Sequence, residues 1–185
     1  MLRIVAGLYR GKKLFAPSDE NVRPTSDRAR EAIFSILYSK IGLLEDKSVL
    51  DVFAGTGAIG FEALSRGAKL ICFIDKDTTL AQKNAALFEK EKSRFHIMKA
   101  DIAHLPHSST AYDIVFLDAP YDRGLNEIAL KNLTDNGFIK NGALCIIETR
   151  HNENLVLPDN FELIDERRYG MAKVGFYVFS FQFSK

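Results

Sequence analysis

From residue 48 onward the chain alternates short apolar runs with helical patterns, and this alternation constrains the fold more than any other feature. The apolar runs predict buried strands at 49–53, 70–74, 95–98, 114–117 and 143–148. Helical spacing of apolar residues predicts helices at 58–66, 78–92 and 125–136. Repeated strand–helix units predict an α/β fold, a mostly parallel sheet with helices on both faces. Runs at 161–169 and 174–183 predict a closing antiparallel hairpin.

The N-terminal part has a different pattern. Residues 1–16 alternate apolar and polar side chains around Gly7 and Gly11, which predicts a hairpin or two short strands. A polar loop follows, and a helix capped by Thr25 or Ser26 is predicted to run to about residue 40. We therefore predict a small extension over 1–45 and a larger α/β domain over 46–185.

Basic residues are concentrated in that extension. Residues 1–30 contain seven basic and three acidic side chains, a net charge of +4 in a chain whose total is +1. The basic residues are Arg3, Arg10, Lys12, Lys13, Arg23, Arg28 and Arg30. A basic arm on a mildly acidic body is typical of polyanion binding. A solvated charged surface, or ion pairs with Asp27 and Glu31, would explain the same pattern.

Composition excludes several classes of protein. With 46% apolar and 26% charged residues, the 185-residue chain has the composition of a soluble globular domain. No apolar run approaches the roughly 18 residues of a membrane helix, and the alternating N-terminus is unlike a signal peptide. We expect a cytoplasmic protein. Cys72 and Cys145 lie inside apolar runs, as buried reduced thiols do, and no Cys/His spacing suggests a metal site.

A glycine-rich loop follows the first predicted strand and opens a helix. Within it, Gly55, Gly57 and Gly60 fit the dinucleotide fingerprint, and the first two would let the backbone approach a ligand closely. The candidate cofactor contacts of this loop are Phe53, Ala54, Gly55, Thr56 and Gly57. On the loop alone, NAD, FAD and S-adenosylmethionine all remain open.

Acidic residues at three successive strand ends favour S-adenosylmethionine. Asp51 precedes the loop, where a carboxylate suits a cationic sulfonium and an amino group better than a pyrophosphate. Asp75, followed by Lys76, is placed to accept hydrogen bonds from ribose hydroxyls. Asp101 can accept from an adenine amino group while Ile102 packs on the ring. A plain helix N-cap is the alternative for Asp101.

A second polar motif, Asp118-Ala119-Pro120-Tyr121, follows the predicted strand at 114–117. An exocyclic amine on a base is a weak nucleophile because its lone pair is conjugated into the ring. The Asp118 carboxylate and the Ala119 carbonyl can accept its N–H groups, while Pro120 stiffens the turn and Tyr121 offers a face for stacking. The motif predicts methyl transfer to such an amine by positioning, unless Asp118 serves only to form a turn.

Together these residues resemble the amino-methylating S-adenosylmethionine-dependent methyltransferases. The N-terminal blocks, R-I-V-A-G-x-x-R-G-K-K-L at 3–14 and R-P-T-S-D-R-A-R-E at 23–31, resemble more specifically the RsmD-type 16S rRNA guanine-N2 methyltransferases of bacteria. The resemblance extends over nearly the whole chain. Its N-terminal blocks are much more specific than the glycine loop.

This resemblance implies a Rossmann-like class I methyltransferase fold with a seven-stranded sheet and a catalytic domain over 46–185. The implied reaction methylates N2 of one guanine of 16S rRNA, consumes S-adenosylmethionine, releases S-adenosylhomocysteine and needs no metal. The implied substrate is the small ribosomal subunit or its assembly intermediate, and we expect a monomer that binds no membrane. The implied RNA contacts are Arg3, Arg10, Lys12, Lys13, Arg23, Thr25, Arg28 and Arg30.

One residue departs from the family pattern. Where the family turn is usually Asp-Pro-Pro-Tyr or Asp-Pro-Pro-Phe, this chain has Ala119, which keeps the accepting carbonyl but loses the stiffness of a ring. We expect activity with a less rigid turn. The alternatives are an adenine-N6 or glutamine-N5 methyltransferase, a non-catalytic RNA-binding module and an NAD-linked oxidoreductase. Methylation at C5 of a pyrimidine is rejected, because neither cysteine follows a strand end.

Overall fold

The computed structural model describes residues 2–17, 26–121 and 123–181 of the chain. Its α-helices are α1 (Asp27–Ile41), α2 (Ala58–Ser65), α3 (Thr79–Ala85) and α4 (Leu125–Asp135). Its strands are β1 (Ser48–Val52), β2 (Leu70–Asp75), β3 (Phe95–Lys99), β4 (Tyr112–Leu117), β5 (Ile139–Arg150), β6 (Phe161–Tyr169) and β7 (Ala172–Phe179). Two 3₁₀ helices lie at Ala86–Arg94 and Ile102–His104.

The strands belong to one seven-stranded sheet in the order β3-β2-β1-β4-β5-β7-β6. Strand β2 runs parallel to β1 and β3, and β4 runs parallel to β5. Strand β7 is antiparallel to both β5 and β6. The predicted α/β fold, mostly parallel with a C-terminal antiparallel hairpin, is therefore confirmed.

Contacts divide the chain into two compact units, Met1–Lys99 and Ala100–Lys185. The predicted boundary between an N-terminal extension and a catalytic domain, at residue 45, does not coincide with this division and stays a prediction. In the first unit, β1 and β2 supply buried aliphatic and aromatic side chains, and seven of the eight residues of α2 are buried. This burial explains the almost wholly apolar sequence of α2.

The predicted helix at 78–92 is wrong in its second half. Helix α3 ends at Ala85, a 3₁₀ helix follows, and Phe88 inside it has non-helical dihedral angles (φ −122°, ψ 37°). The Phe88 ring stacks on Phe61 at 4.6 Å between centroids and meets the edge of Tyr9 at 5.1 Å. Packing of this ring has overridden the helical periodicity of the sequence.

The basic segment, residues 2–17, folds back on itself and is fixed to α2. A single bridge pairs Arg3 with Lys13, where the alternation predicted a hairpin or two short strands. The Val5 and Ala6 amides donate to the two carboxylate oxygens of Glu62, at 2.7 and 2.9 Å. Since Glu62 is fully buried and lies on α2, these backbone donors hold the segment against that helix.

In the second unit, β4 and β5 are longer than predicted. Strand β4 begins at Tyr112 and β5 at Ile139, because Tyr112 pairs with Ile139 across an irregularity in the register. Strand β7 ends at Phe179, and the last residues of the predicted strand, 182–183, lie outside the described residues. This unit carries the Asp118 turn directly after β4.

Candidate active site

The loop after β1, residues 53–57, has an unusual backbone. Phe53 has a φ of 60°, which is rare for a residue with a side chain. Gly55 and Gly57 also lie in the left-handed region, with φ values of 52° and 74°. Such conformations cost energy and persist only where neighbouring structure holds them. The loop is therefore held in shape from outside.

Its two glycines are needed for different reasons. A Cβ at Gly57 would lie 2.8 Å from Cε2 of Phe61, so packing excludes a side chain there. A Cβ at Gly55 would meet only the Phe53 carbonyl oxygen, at 3.9 Å. Gly55 is exposed and therefore presents bare backbone, which fits a closely approaching cofactor.

Asp75 bonds to this loop, and Asp51 bonds to the helix that follows it. The buried Asp51 accepts the Gly60 amide at 2.9 Å and so fixes the first turn of α2. At the end of β2, Asp75 accepts the Gly55 amide at 2.7 Å through one oxygen and the Asp77 amide at 2.9 Å through the other. An ionised carboxylate has about four acceptor positions, so Asp75 keeps the capacity to accept from ribose hydroxyls.

Asn84 is a further contact of the loop, and the sequence analysis missed it. Its Nδ2 donates to the Thr56 carbonyl at 2.8 Å. The Thr56 hydroxyl in turn accepts the Ala58 amide at 3.3 Å. The signal that could have found Asn84 is a polar residue on the buried side of a helix, because such groups need hydrogen-bond partners.

Two predicted adenine contacts lie in the second unit. Asp101 accepts the Ala103 amide at 3.0 Å and caps the 3₁₀ helix that follows. This is the N-cap role given above as the alternative to an adenine contact. Ile102 is 4% exposed. In the first unit, Lys76 is exposed beside Asp75. The roles of these residues toward a cofactor stay predictions.

The Asp118 turn combines exposed and buried residues. Asp118 and Pro120 are exposed, Ala119 is 3% exposed, and Tyr121 is half-buried. Ala119 thus lies in the interior of the second unit, whereas Asp118, one residue earlier, lies at its surface. This arrangement leaves an acceptor at the surface directly after β4.

Glu148, which the sequence analysis also missed, anchors Tyr121. The Tyr121 hydroxyl donates to Oε1 of Glu148 at 2.6 Å, and Asn126 donates to the Glu148 carbonyl at 3.2 Å. Burial and the Glu148 carboxylate raise the pKa of Tyr121 above its usual value. Burial also raises the pKa of Glu148, and the bond from Tyr121 opposes that rise. The bond fixes the ring that the sequence predicts as a stacking face.

The predicted RNA-binding residues differ in accessibility. Arg3, Arg10, Lys13 and Arg28 are exposed, and Arg3 pairs with Asp27 at 2.8 Å. Within the described ranges, no carboxylate pairs with Arg10, Lys13 or Arg28. Arg23 and Thr25 lie outside the described residues. Three exposed cations are thus available to an anion.

Lys12 and Arg30 are engaged within the protein. The Lys12 ammonium lies 5.5 Å from the ring centroids of both Tyr9 and Phe88. Arg30 is fully buried and donates to the Arg3 carbonyl at 2.6 Å and to Asp27 at 2.7 Å. Burial lowers the pKa of the Arg30 guanidinium, and the nearby Asp27 carboxylate opposes that shift. In this conformation Arg30 is not accessible to a phosphate.

Other chemistries lack the required groups. In the part of the chain that the structure describes, no cluster of three metal-ligating side chains occurs. None of its helices there is long and apolar enough to cross a membrane. Cys72 and Cys145 are buried, and burial raises the pKa of the Cys145 thiol. Neither cysteine is presented as a nucleophile.

Comparison with known proteins shows matches over nearly the whole chain. The family model described as "Conserved hypothetical protein 95" matches residues 2–178. The "Ribosomal RNA small subunit methyltransferase D" of Haemophilus influenzae is 36% identical over 182 residues, 95% of this chain and 93% of that protein. The solved structure of yhhF from Escherichia coli is 32% identical with a TM-score of 0.83 and covers 97% of this chain and 98% of that one.

A more distant structure shares the fold alone. The magnesium protoporphyrin IX methyltransferase of Synechocystis, solved with bound S-adenosylmethionine, is 17% identical with a TM-score of 0.62. The match covers 83% of this chain and 79% of that one.

Proposed function

Since the chain belongs to the family described as "Conserved hypothetical protein 95", we propose that it methylates the exocyclic N2 amine of one guanine in 16S rRNA. The family match and the relative of Haemophilus influenzae confirm the RsmD-type resemblance. The chain is an S-adenosylmethionine-dependent methyltransferase by family and fold. The target atom and the particle recognised are part of the proposal.

The observation that carries the proposal is the turn after β4 together with its anchor. Asp118 is exposed and acidic, so it accepts one N–H of the amine. The Ala119 carbonyl accepts the other, which aims the nitrogen lone pair away from both acceptors. The Tyr121 ring, held by Glu148 at 2.6 Å, stacks on the base. Holding the amine in this way accounts for catalysis by positioning rather than by a covalent intermediate.

The loop at 53–57 holds the cofactor. Bound there, S-adenosylmethionine supplies a methyl group already activated by a positive sulfur. Gly55 leaves space for the ligand, Asp75 accepts from its ribose, and Asp101 and Ile102 contact its adenine. As the bond from the methyl carbon to sulfur breaks and S-adenosylhomocysteine is left, the amine nitrogen would form a bond to that carbon and lose a proton, which Asp118 can accept and pass to water.

The exposed cations of the N-terminal region bind the RNA backbone. Arg10, Lys13 and Arg28 contact phosphates, and Arg3, Lys12, Arg23 and Thr25 add to the same surface. Such contacts give affinity that falls steeply with salt concentration. The target guanine leaves its stack to reach Asp118. We propose that the protein acts in the cytoplasm, as a monomer, on the small subunit or its assembly intermediate.

The test is methyl transfer from labelled S-adenosylmethionine to small ribosomal subunits that lack guanine-N2 methylation, followed by nucleoside analysis. Naked 16S rRNA is run in parallel, and Asp118→Ala protein is the matched control. We expect label in N2-methylguanosine, from subunits more than from naked RNA, and none with the variant. Label in N6-methyladenosine would replace the proposed target with an adenine. No label despite firm cofactor binding would contradict an enzymatic role and favour an RNA-binding module.

A thermal melt separates this proposal from an oxidoreductase. Stabilisation by S-adenosylhomocysteine but not by NAD is expected, because a ligand that binds the folded state alone raises its melting temperature. The opposite pattern would reject the methyltransferase.

A further inference from the structure

Asn84 bonds to two separate segments of the first unit at once. It lies near the end of α3 and is 0% exposed. Its Oδ1 accepts the Phe15 amide at 2.7 Å, and its Nδ2 donates to the Phe15 carbonyl at 3.0 Å and to the Thr56 carbonyl at 2.8 Å. Both N–H donors of the side-chain amide are therefore used. All three partners are backbone groups.

One of these segments is the cofactor loop. Thr56 lies between Gly55 and Gly57, in the stretch whose backbone departs most from ordinary conformations. The bond from Asn84 holds the Thr56 peptide from the side of α3. Loss of this bond would leave a half-buried carbonyl without its donor and free the loop to change conformation.

The other segment is the C-terminal end of the basic segment. Phe15 follows Lys13 by two residues, and the Asn84 amide pairs with both its N–H and its C=O, as a neighbouring strand would. The exposed Phe15 ring lies under Lys83, whose ammonium is 4.0 Å from the ring centroid. The main chain that positions Lys12 and Lys13 is thus tied to α3.

We propose that Asn84 is a positioning residue that couples RNA binding by the basic segment to cofactor binding by the loop. Ordering of Phe15 by bound RNA orders the Asn84 amide, and that amide orders Thr56. The inference rests on the proposed function, because it takes RNA and S-adenosylmethionine as the two ligands. Coupling between two sites is reciprocal, so it can be measured from either ligand.

The experiment measures the affinity of the full-length protein for small ribosomal subunits by filter binding, with and without saturating S-adenosylhomocysteine. For the unmodified protein, we expect the cofactor product to tighten subunit binding by about tenfold, within the usual range of such coupling. Asn84→Asp replaces the donating amide with a second oxygen that faces the Phe15 and Thr56 carbonyls. We expect it to reduce the coupling to less than about twofold.

A second pair of variants leaves α3 and the loop untouched. Phe15→Pro removes the amide that donates to Asn84, while Phe15→Ala keeps the backbone and removes only the ring. We expect Phe15→Pro to lose the coupling and Phe15→Ala to keep it. Gln82→Ala, which removes a bond to Thr78 on the same helix, controls for general weakening of α3. Melting temperatures report stability separately, because a merely structural Asn84 would lower them without changing the coupling.

The outcomes separate the two hypotheses. If folded Asn84→Asp and Phe15→Pro both keep the coupling of the unmodified protein, the inference is overturned. If Asn84→Asp does not fold, the result for Phe15→Pro decides alone. Absence of coupling in the unmodified protein, with both ligands bound, would also overturn it. Failure of the unmodified protein to bind S-adenosylhomocysteine or subunits would instead reject the proposed function.

Discussion

The loop at 53–57 and the turn at 118–121 are held in opposite ways. In the loop, side chains from elsewhere in the chain bond to backbone groups: Asp75 to Gly55, and Asn84 to Thr56. In the turn, a side chain of the motif itself, Tyr121, reaches out to Glu148. In the proposed site, the loop presents backbone to the cofactor, whereas the turn presents side chains to the base.

This difference determines what each region tolerates. A backbone site depends on its conformation, so its essential residues are glycines and the distant side chains that hold them. A side-chain site depends on the identity of its own residues. Changes in the turn should therefore remove catalysis and spare cofactor binding, and changes in the loop should act through folding and cofactor affinity.

The largest effect is expected at Asp118. Asp118→Ala removes the exposed acceptor that orients the amine, and we expect the rate of transfer to fall by about a thousandfold, as losses of one preorganised hydrogen-bonding group do. The dissociation constant for S-adenosylhomocysteine, measured by calorimetry, should change less than twofold. Equal loss of both would show that Asp118 holds the site together rather than the substrate.

The two glycines of the loop should differ next. Gly57→Ala adds a Cβ 2.8 Å from Phe61 at a left-handed φ, so we expect a loss of about 2–3 kcal/mol in the free energy of unfolding. Gly55→Ala meets only the strain of its φ, about 1–2 kcal/mol. Urea unfolding measures both values.

The affinity for S-adenosylhomocysteine gives a second test of Gly55. Gly55→Ala places a methyl in the open space beside the loop and should weaken S-adenosylhomocysteine binding more than its small loss of stability would suggest. Unchanged affinity in folded Gly55→Ala would mean that the ligand does not approach this backbone.

The sequence predicts the turn better than the loop, for the same physical reason. Asp118 and Tyr121 carry their chemistry in their own side chains, directly after an apolar run, so the motif is visible in the sequence. Asn84 acts on Thr56 from 28 positions away, and no local pattern shows that contact. Glu148 is likewise 27 positions from Tyr121.

The errors in the fold have a related origin. The positions of β1 to β5 and of the helices after β1 and β4 follow from apolar periodicity, which is a local signal. The break at Phe88 comes from stacking on Phe61, and the burial of Arg30 comes from its bonds to Arg3 and Asp27. Charge and the family resemblance grouped Arg30 with the RNA-binding cations, and neither contains information on burial.

The Tyr121–Glu148 bond should have a smaller effect than Asp118. Tyr121→Phe and Glu148→Ala each remove it, and we expect each to lower the rate of transfer by about ten- to a hundredfold, since one hydrogen bond to a charged group contributes about 1.5–3 kcal/mol. The double variant should be no slower than either single variant. Glu148→Gln keeps an acceptor and should retain most activity. Additive losses would show that the two side chains act independently.

The smallest effect is expected in the basic region, where the structure separates accessible from inaccessible cations. Replacing Arg10, Lys13 and Arg28 with Gln should weaken subunit binding. The slope of log affinity against log salt concentration should fall by about two, because each lost phosphate contact lowers it by about 0.7. The control replaces Lys131, Arg167 and Arg168, three exposed cations outside this region, and changes the net charge equally. An equal change of slope in both variants would assign the effect to net charge. A change confined to the first variant would assign it to phosphate contacts at this surface.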